Sequence, residues 1–406
     1  MLFFCQKSEG LYRSERSPLT SLCGAFAVFL YSSARIVRGE NQGVGYRFES
    51  YREEGGRIAV ETHSGNFEVQ PKSWLTLSGD VVYDAISGTT PTGSPPPSTI
   101  TFVPDQNGNP PPGAMNQSVP LSPMTDIREG GSVAAGFSFG QHHFAPQFSI
   151  SQEHDYHSLG AAFNYSIDLN EKNTTLNAGW SHNWDQVLPN GFLHSTVNKE
   201  VDDLFVGVNQ LLGPKTYVNF NLTYGHSRGY LNDQYKGVLF DTFPQGDPES
   251  PALEPESRPR QRDRYIGYGS LTHAVSKLKA SAEGSYRFFY DSYGTVSHTA
   301  NLAWFQKVGK YLVVSPMFRY ARQGAANFYV VRLPDFDTRP TYYSADYRLS
   351  KLESLTYGLN VNWKFREWFW VDAGYKRMVM QGLDSVTSAS AYPTANIFTI
   401  GGRVWF

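Results

Sequence analysis

Three observations predict an all-β fold, a transmembrane antiparallel up-and-down β-barrel of about 16 strands with short periplasmic turns and long extracellular loops. Apolar and polar residues alternate at period two along most of the chain. The alternating segments run to ten residues or more, enough to cross a bilayer when tilted. Their connections are short and long by turns, the asymmetry of an outer-membrane barrel.

The elements follow in order. Arg13 and Arg16 precede the apolar run Leu19–Tyr31, and the small residues Ser32, Ser33 and Ala34 close it. That pattern is a secretory signal, so residues 1–34 are expected to be a signal peptide and 35–406 the barrel domain. The only two cysteines, Cys5 and Cys23, fall in the leader. The barrel domain therefore has no disulfide framework and no cysteine metal site. The expected strands are 43–52, 57–69, 74–86, 126–140, 144–153, 157–169, 173–185, 200–212, 215–228, 262–275, 278–291, 294–307, 310–322, 352–366, 368–381 and 396–406. Among them, Leu355, Tyr357, Leu359, Val361, Trp363 and Phe365 alternate with Thr356, Gly358, Asn360, Asn362 and Lys364. The expected long loops are 87–125, 186–199, 229–261, 323–351 and 382–395.

Composition agrees. The net charge of -2 argues against a nucleic-acid partner. Aromatic residues make up 15% of the chain, and the mean hydropathy of -0.40 suits strands that show only one face to lipid. A soluble sandwich would not need strands of this length, and no propeller repeat of ~40 residues is present.

The last strand ends Phe398-Thr399-Ile400-Gly401-Gly402-Arg403-Val404-Trp405-Phe406. Thr399, Gly401, Val404 and Phe406 resemble the C-terminal signal read by the barrel-assembly machinery of Gram-negative bacteria. A second resemblance rests on Tyr83–Pro97, Met124–Arg128 and Ser151–Ser158. These stretches are similar to a bacterial family of outer-membrane barrels known only as a domain of unknown function, DUF3570. The resemblance implies export and a barrel, and it implies no activity.

The polar faces gather Asn177, Asn183, Asn219, Asn221, Glu283, Arg287, Arg319, Asn360, Asn362, Asp372, Lys376 and Arg403. With about 16 strands the interior is too wide for side chains alone to fill. These residues are thus expected to line a wet lumen, and all but Asn183 and Arg319 are its ten candidate site residues. Mixed charge signs predict no strong ion selectivity. Glu153, His154, Asp155 and His157 crowd one hairpin tip, with His182 and Asp185 two strands on. Metal would need about four convergent ligands, so no metal and no cofactor is expected. The loop 87–125, with Pro95–Pro97 and Pro110–Pro112, is expected to be a solvated outer loop. The loop 229–261 carries Asp241, Asp247, Glu249, Glu254 and Glu256, then Arg258, Arg260, Arg262 and Arg264. Exposed, self-paired charge is expected there.

No nucleophile stands beside a base and an orienting group, so no catalytic residue is expected. The expectation is a porin-like channel for small polar solutes in the bacterial outer membrane. The alternatives are a loop-plugged barrel that binds a periplasmic or surface protein, and a lipid-modifying enzyme. Expected partners are outer-membrane lipid, lipopolysaccharide and the assembly machinery. The oligomeric state is left open.

Overall fold

The computed structural model describes residues 42–93, 119, 121–189, 195–242 and 252–406. In chain order its strands are β1 (Gly43–Glu53), β2 (Ala59–Lys72), β3 (Leu75–Pro91), β4 (Leu121–Phe139), β5 (His142–Gln152), β6 (Tyr156–Leu169), β7 (Thr174–Val187), β8 (Val197–Gly213), β9 (Thr216–Gly229), β10 (Gly237–Thr242), β11 (Ala252–Pro255), β12 (Gln261–Val275), β13 (Ala280–Asp291), β14 (Val296–Val308), β15 (Leu312–Gln323), β16 (Arg332–Asp335), β17 (Leu352–Arg366), β18 (Phe369–Gly382) and β19 (Thr394–Trp405). Sixteen of them close into one barrel, and β11-β10-β16 form a separate small sheet. Each expected span is a barrel strand. The signal segment 1–34, the two proline runs, Asp247 and Glu249 lie outside the described residues.

Closure joins β1 to β19 from Gly43↔Trp405 to Glu53↔Ala395. Closure leaves the barrel itself no edge to aggregate, which answers the hazard of a bare aromatic strand end. The largest departure from the expected spans is at β3 and β4. They keep pairing through Gly88↔Met124 to Pro91↔Leu121, so this hairpin runs on past its neighbours.

One end of the barrel carries only tight turns. Gly140 and Gly309 take φ of 63° in two of them, a conformation cheap only for glycine. The other end carries the long connections. The outward face is apolar and exposed, as at Val206, Leu222, Leu302 and Leu359. Water does not tolerate a continuous belt of this kind, whereas lipid does. Aromatic rings such as Trp180, Trp184, Tyr224 and Tyr265 are exposed on the same face, where amphipathic rings suit a membrane interface.

The buried apolar clusters lie at the long-loop end. Val238, Phe240, Tyr343 and Ala345 form one, and Ile58, Ile86 and Met124 a second. Tyr293, Ala326 and Leu349 form a third, and Leu352, Ala391 and Tyr392 a fourth.

Candidate functional site

The described part of the loop 230–260 is not the exposed segment expected, and the loop 324–351 joins it. They fold together into a cap. Strand β10 pairs antiparallel with β11 of its own loop and parallel with β16 of the other, through Leu239↔Arg332 and Phe240↔Leu333. Phe240 packs edge-on against Tyr343 and Phe336. The apolar run Val238-Leu239-Phe240 drives this burial, since each fully buried side chain stabilises by about 1.5–3 kcal/mol.

The cap is fastened at separated points of the rim. Counted around the ring from β1, β3 is third, β9 ninth and β17 fourteenth of the sixteen strands. Lys236, just after β9, donates to Thr90 Oγ1 at 3.2 Å and to the Pro91 carbonyl, both at the end of β3. Gly237 N–H donates to the Thr92 carbonyl at 3.1 Å. Arg348, just before β17, pairs with Asp233 in the loop that follows β9. Three supports about a third of the ring apart can meet only over the lumen. Further ties come from the hairpin between β5 and β6, where Asp155 accepts from Gln234 at 3.0 Å and Tyr235 at 3.1 Å. Arg57, between β1 and β2, donates to the Ser390 and Ala391 carbonyls at 2.8 and 3.1 Å. Gly93 has φ of 88°, and a Cβ there would meet the Ala345 carbonyl oxygen at 2.8 Å. Glycine lets this segment lie against the cap.

An ion network pins the centre. Asp346 is 1% exposed and accepts from Arg348 Nε at 2.8 Å and from Arg258 Nη2 at 2.9 Å. Arg258 Nη2 also reaches Glu256 Oε2 at 3.0 Å, and Ser344 donates to the same oxygen at 2.5 Å. Burial pushes the Glu256 carboxyl up to about 7, with Arg258 opposing and Asp233 and Asp346 adding to the rise. Asp346 is also buried, but Arg348, Arg258 and Lys236 together hold it far below the usual carboxylate range. Burial pulls the Lys236 ammonium pKa down. Buried pairs of this kind are costly to break, about 3–5 kcal/mol when one partner is removed.

Beneath the cap, strand register puts the ten expected lumen residues, together with Asn183 and Arg319, on the face opposite the exposed apolar rows. Asn221 donates to Asn219 at 2.6 Å, and Asn219 donates to Asn209, forming an amide ladder across β8 and β9. Asn177 donates to the Thr175 carbonyl at 3.4 Å. Asp372 meets Arg47 at 3.3 Å and lies opposite Asn362. Asn360 and Lys376 lie opposite Gly374 and Gly358. The Arg403 guanidinium sits 5.2 Å from the Trp405 ring. Glu283 pairs in register with Ala303, and Arg287 with Thr299. Of the C-terminal signal residues, Thr399 and Gly401 are buried on the inner face, while Val404 and Phe406 are exposed.

The hairpin-tip residues do not converge as metal ligands. Asp155 is turned to the cap, His154 and His157 are exposed, and Glu153 is buried. His182 binds Asp202 at 2.7 Å on the outer face, while Asp185 accepts from Tyr156 at 2.6 Å. Among the described residues no group of three or more His, Cys, Asp or Glu is placed to hold a metal ion.

Sequence reasoning missed Asp233, Lys236, Asp346 and Arg348. Each stands as a single charge in a loop without periodicity. The signal available was the apolar runs Val238-Leu239-Phe240 and Tyr342-Tyr343, too apolar for solvated loops.

A closed sixteen-strand barrel with an apolar exterior, a polar interior and one covered mouth defines a transmembrane β-barrel protein. The chain belongs to the family described as a protein of unknown function (DUF3570), whose model matches residues 33–377. The three stretches that carried the resemblance supply Thr90, Pro91, Gly93, Met124 and Asp155, so they lie at the cap and its rim. No curated protein matches the chain. Among solved structures, the siderophore receptor PirA from Pseudomonas aeruginosa is similar at 10% identity and TM-score 0.44, covering 90% of this chain and 62% of that one. The chain thus spans less than two thirds of that receptor. The in-vitro folded outer membrane protein OmpT of Vibrio cholerae is similar at 12% identity and TM-score 0.40, covering 92% and 100%. A bacterial polysaccharide outer membrane secretin is similar at 8% identity and TM-score 0.45, covering 91% and 99%.

Proposed function

We propose that the protein is an outer-membrane channel of a Gram-negative bacterium that passes small polar solutes, with its outer mouth gated by the cap. The carrying observation is the way the cap is held. Its ties to the rim are hydrogen bonds and ion pairs at separated points, centred on Asp346. Such ties respond to pH and can release without unfolding the wall. Beneath them runs a wall of amides, hydroxyls and charges, the lining of an aqueous path. No catalytic residue has a role in this reading.

The test is single-channel conductance of the refolded full chain in a planar bilayer. The wild type is expected to show small or rare openings. Asp346→Asn, which weakens the central pin, is expected to give larger and longer ones. A variant whose cap is protease-sensitive but which never conducts would defeat the channel reading. The second reading, a barrel that binds a protein partner, would then stand. It has its own support in an apolar hollow of about 510 Å³ on the cap, lined by Pro259, Tyr293, Phe328, Val330, Pro340 and Tyr342 among others.

A further inference from the structure

The lumen carries both charge signs on both sides, but they are not equally paired. Asp80 and Asp84 lie on β3, third in the ring, and Arg287 lies on β13, eleventh. Those two strands face each other across the barrel. Asp84 is paired with Arg128 and Asp80 accepts from Ser132, both at 2.5 Å, so the acidic wall is satisfied locally. The basic wall is not. Arg287 has only the Phe289 ring, at 5.5 Å, and among the described residues neither Arg287 nor Arg319 meets a carboxylate.

The two arginines are close neighbours on that wall. Arg287 lies opposite Thr299 and Arg319 opposite Asn301, on the two sides of β14 and two residues apart in register. Asn301 is held between them by its bond to Ser285 at 3.0 Å. By contrast Arg264, on β12, meets Asp203 at 3.0 Å, and Arg47 meets Asp372. Two half-buried guanidiniums with no carboxylate in contact repel each other, and Glu283, two rungs away on the same face of β13, makes no ion pair with either. A guanidinium fork matches a two-oxygen anion.

The geometry points to an anion-binding subsite at Arg287 and Arg319, built to hold the carboxylate, phosphate or sulfate group of a solute in the lumen. This deepens the channel reading and rests on it only for the passage of that solute, not for the binding. Inorganic phosphate is the probe.

Binding is measured by isothermal titration of phosphate into the detergent-folded full chain, with folding checked by heat-modifiable gel mobility. The wild type is expected to bind, and the double variant Arg287→Gln, Arg319→Gln to bind roughly tenfold more weakly or not at all. Arg287→Lys keeps the charge but loses the fork, and is expected to fall between them. Arg47→Gln, on the facing wall, is expected to bind as the wild type does. No binding by the folded wild type, or equal binding by the double variant, overturns the subsite. If the double variant fails to fold, Arg287→Lys decides: affinity equal to wild type overturns the proposal. Binding without conductance would defeat the channel and leave the subsite standing. Conductance without arginine-dependent binding would do the reverse.

Discussion

The wall and the cap are held by different forces. The wall is a ladder of main-chain bonds closed on itself, from Gly43↔Trp405 around to β19. Its strands present apolar side chains outward, as Leu302 does, and polar ones inward, as Asn301 does. The cap is built around a dry apolar nucleus at Val238 and Phe240 and a buried ion network at Asp346. A lipid-facing wall gains nothing from a hydrophobic core, because its solvent is already apolar. The cap sits in water and must bury surface to fold. The two regions should therefore fail separately.

Asp346→Ala is the strongest way to break the cap alone. It removes the carboxylate that Arg258 and Arg348 share, leaving them only Glu256 and Asp233, at a cost of up to about 3–5 kcal/mol. Limited proteolysis should then cut within 230–260 and 324–351, while the heat-modifiable mobility of the barrel stays unchanged. Loss of both together would mean the two regions are one cooperative unit. Phe240→Ala should act in the same direction, by about 3–5 kcal/mol, through the cavity it leaves. The converse change is Leu302→Arg, which puts a charge on the lipid face midway along β14. It should destabilise the barrel by about 2–4 kcal/mol, seen as a lower temperature of the mobility shift.

Proton linkage tests the cap more gently. Glu256 titrates near 7 in the folded cap against an ordinary 4.5, so the folded form holds its proton longer. Its contribution therefore falls as pH rises from about 4.5 through about 7. Asp346 lies far below its ordinary 3.8, so its contribution is present above that value and lost as pH falls below it. Cap cleavage should be slowest between these limits and faster on both sides. Glu256→Gln should flatten the upper limb, and an unchanged profile would remove Glu256 from the network. The smallest effect is expected at the rim. Glu61→Gln breaks the exposed Arg52–Glu61 pair, at 3.1 Å, and should shift barrel stability by less than about 1 kcal/mol.

The wall was legible because a strand writes its two faces directly into the chain. Tyr357, Leu359, Val361 and Trp363 alternate without a break, and β17 runs Leu352–Arg366 over the expected span. The same parity assigned Arg287 and Asp372 to the inner face. The cap was not legible for the opposite reason. Strand β16 has four residues and β11 four, too few to show a period. Its parallel partner lies in a distant loop, so no hairpin turn signals the pairing. Glu256 and Arg258 read as charges of an exposed loop, because nothing local says that Asp346 and Ser344 will close over them.

The parallel pairing of β10 with β16 also sets an order of events. Phe240 finds Leu333 only after the strands between their two loops are in place. Contacts so remote along the chain form late, since the intervening segment must be closed first. By that measure the cap waits on β12 to β15, and the more remote β1–β19 seam waits on the whole chain.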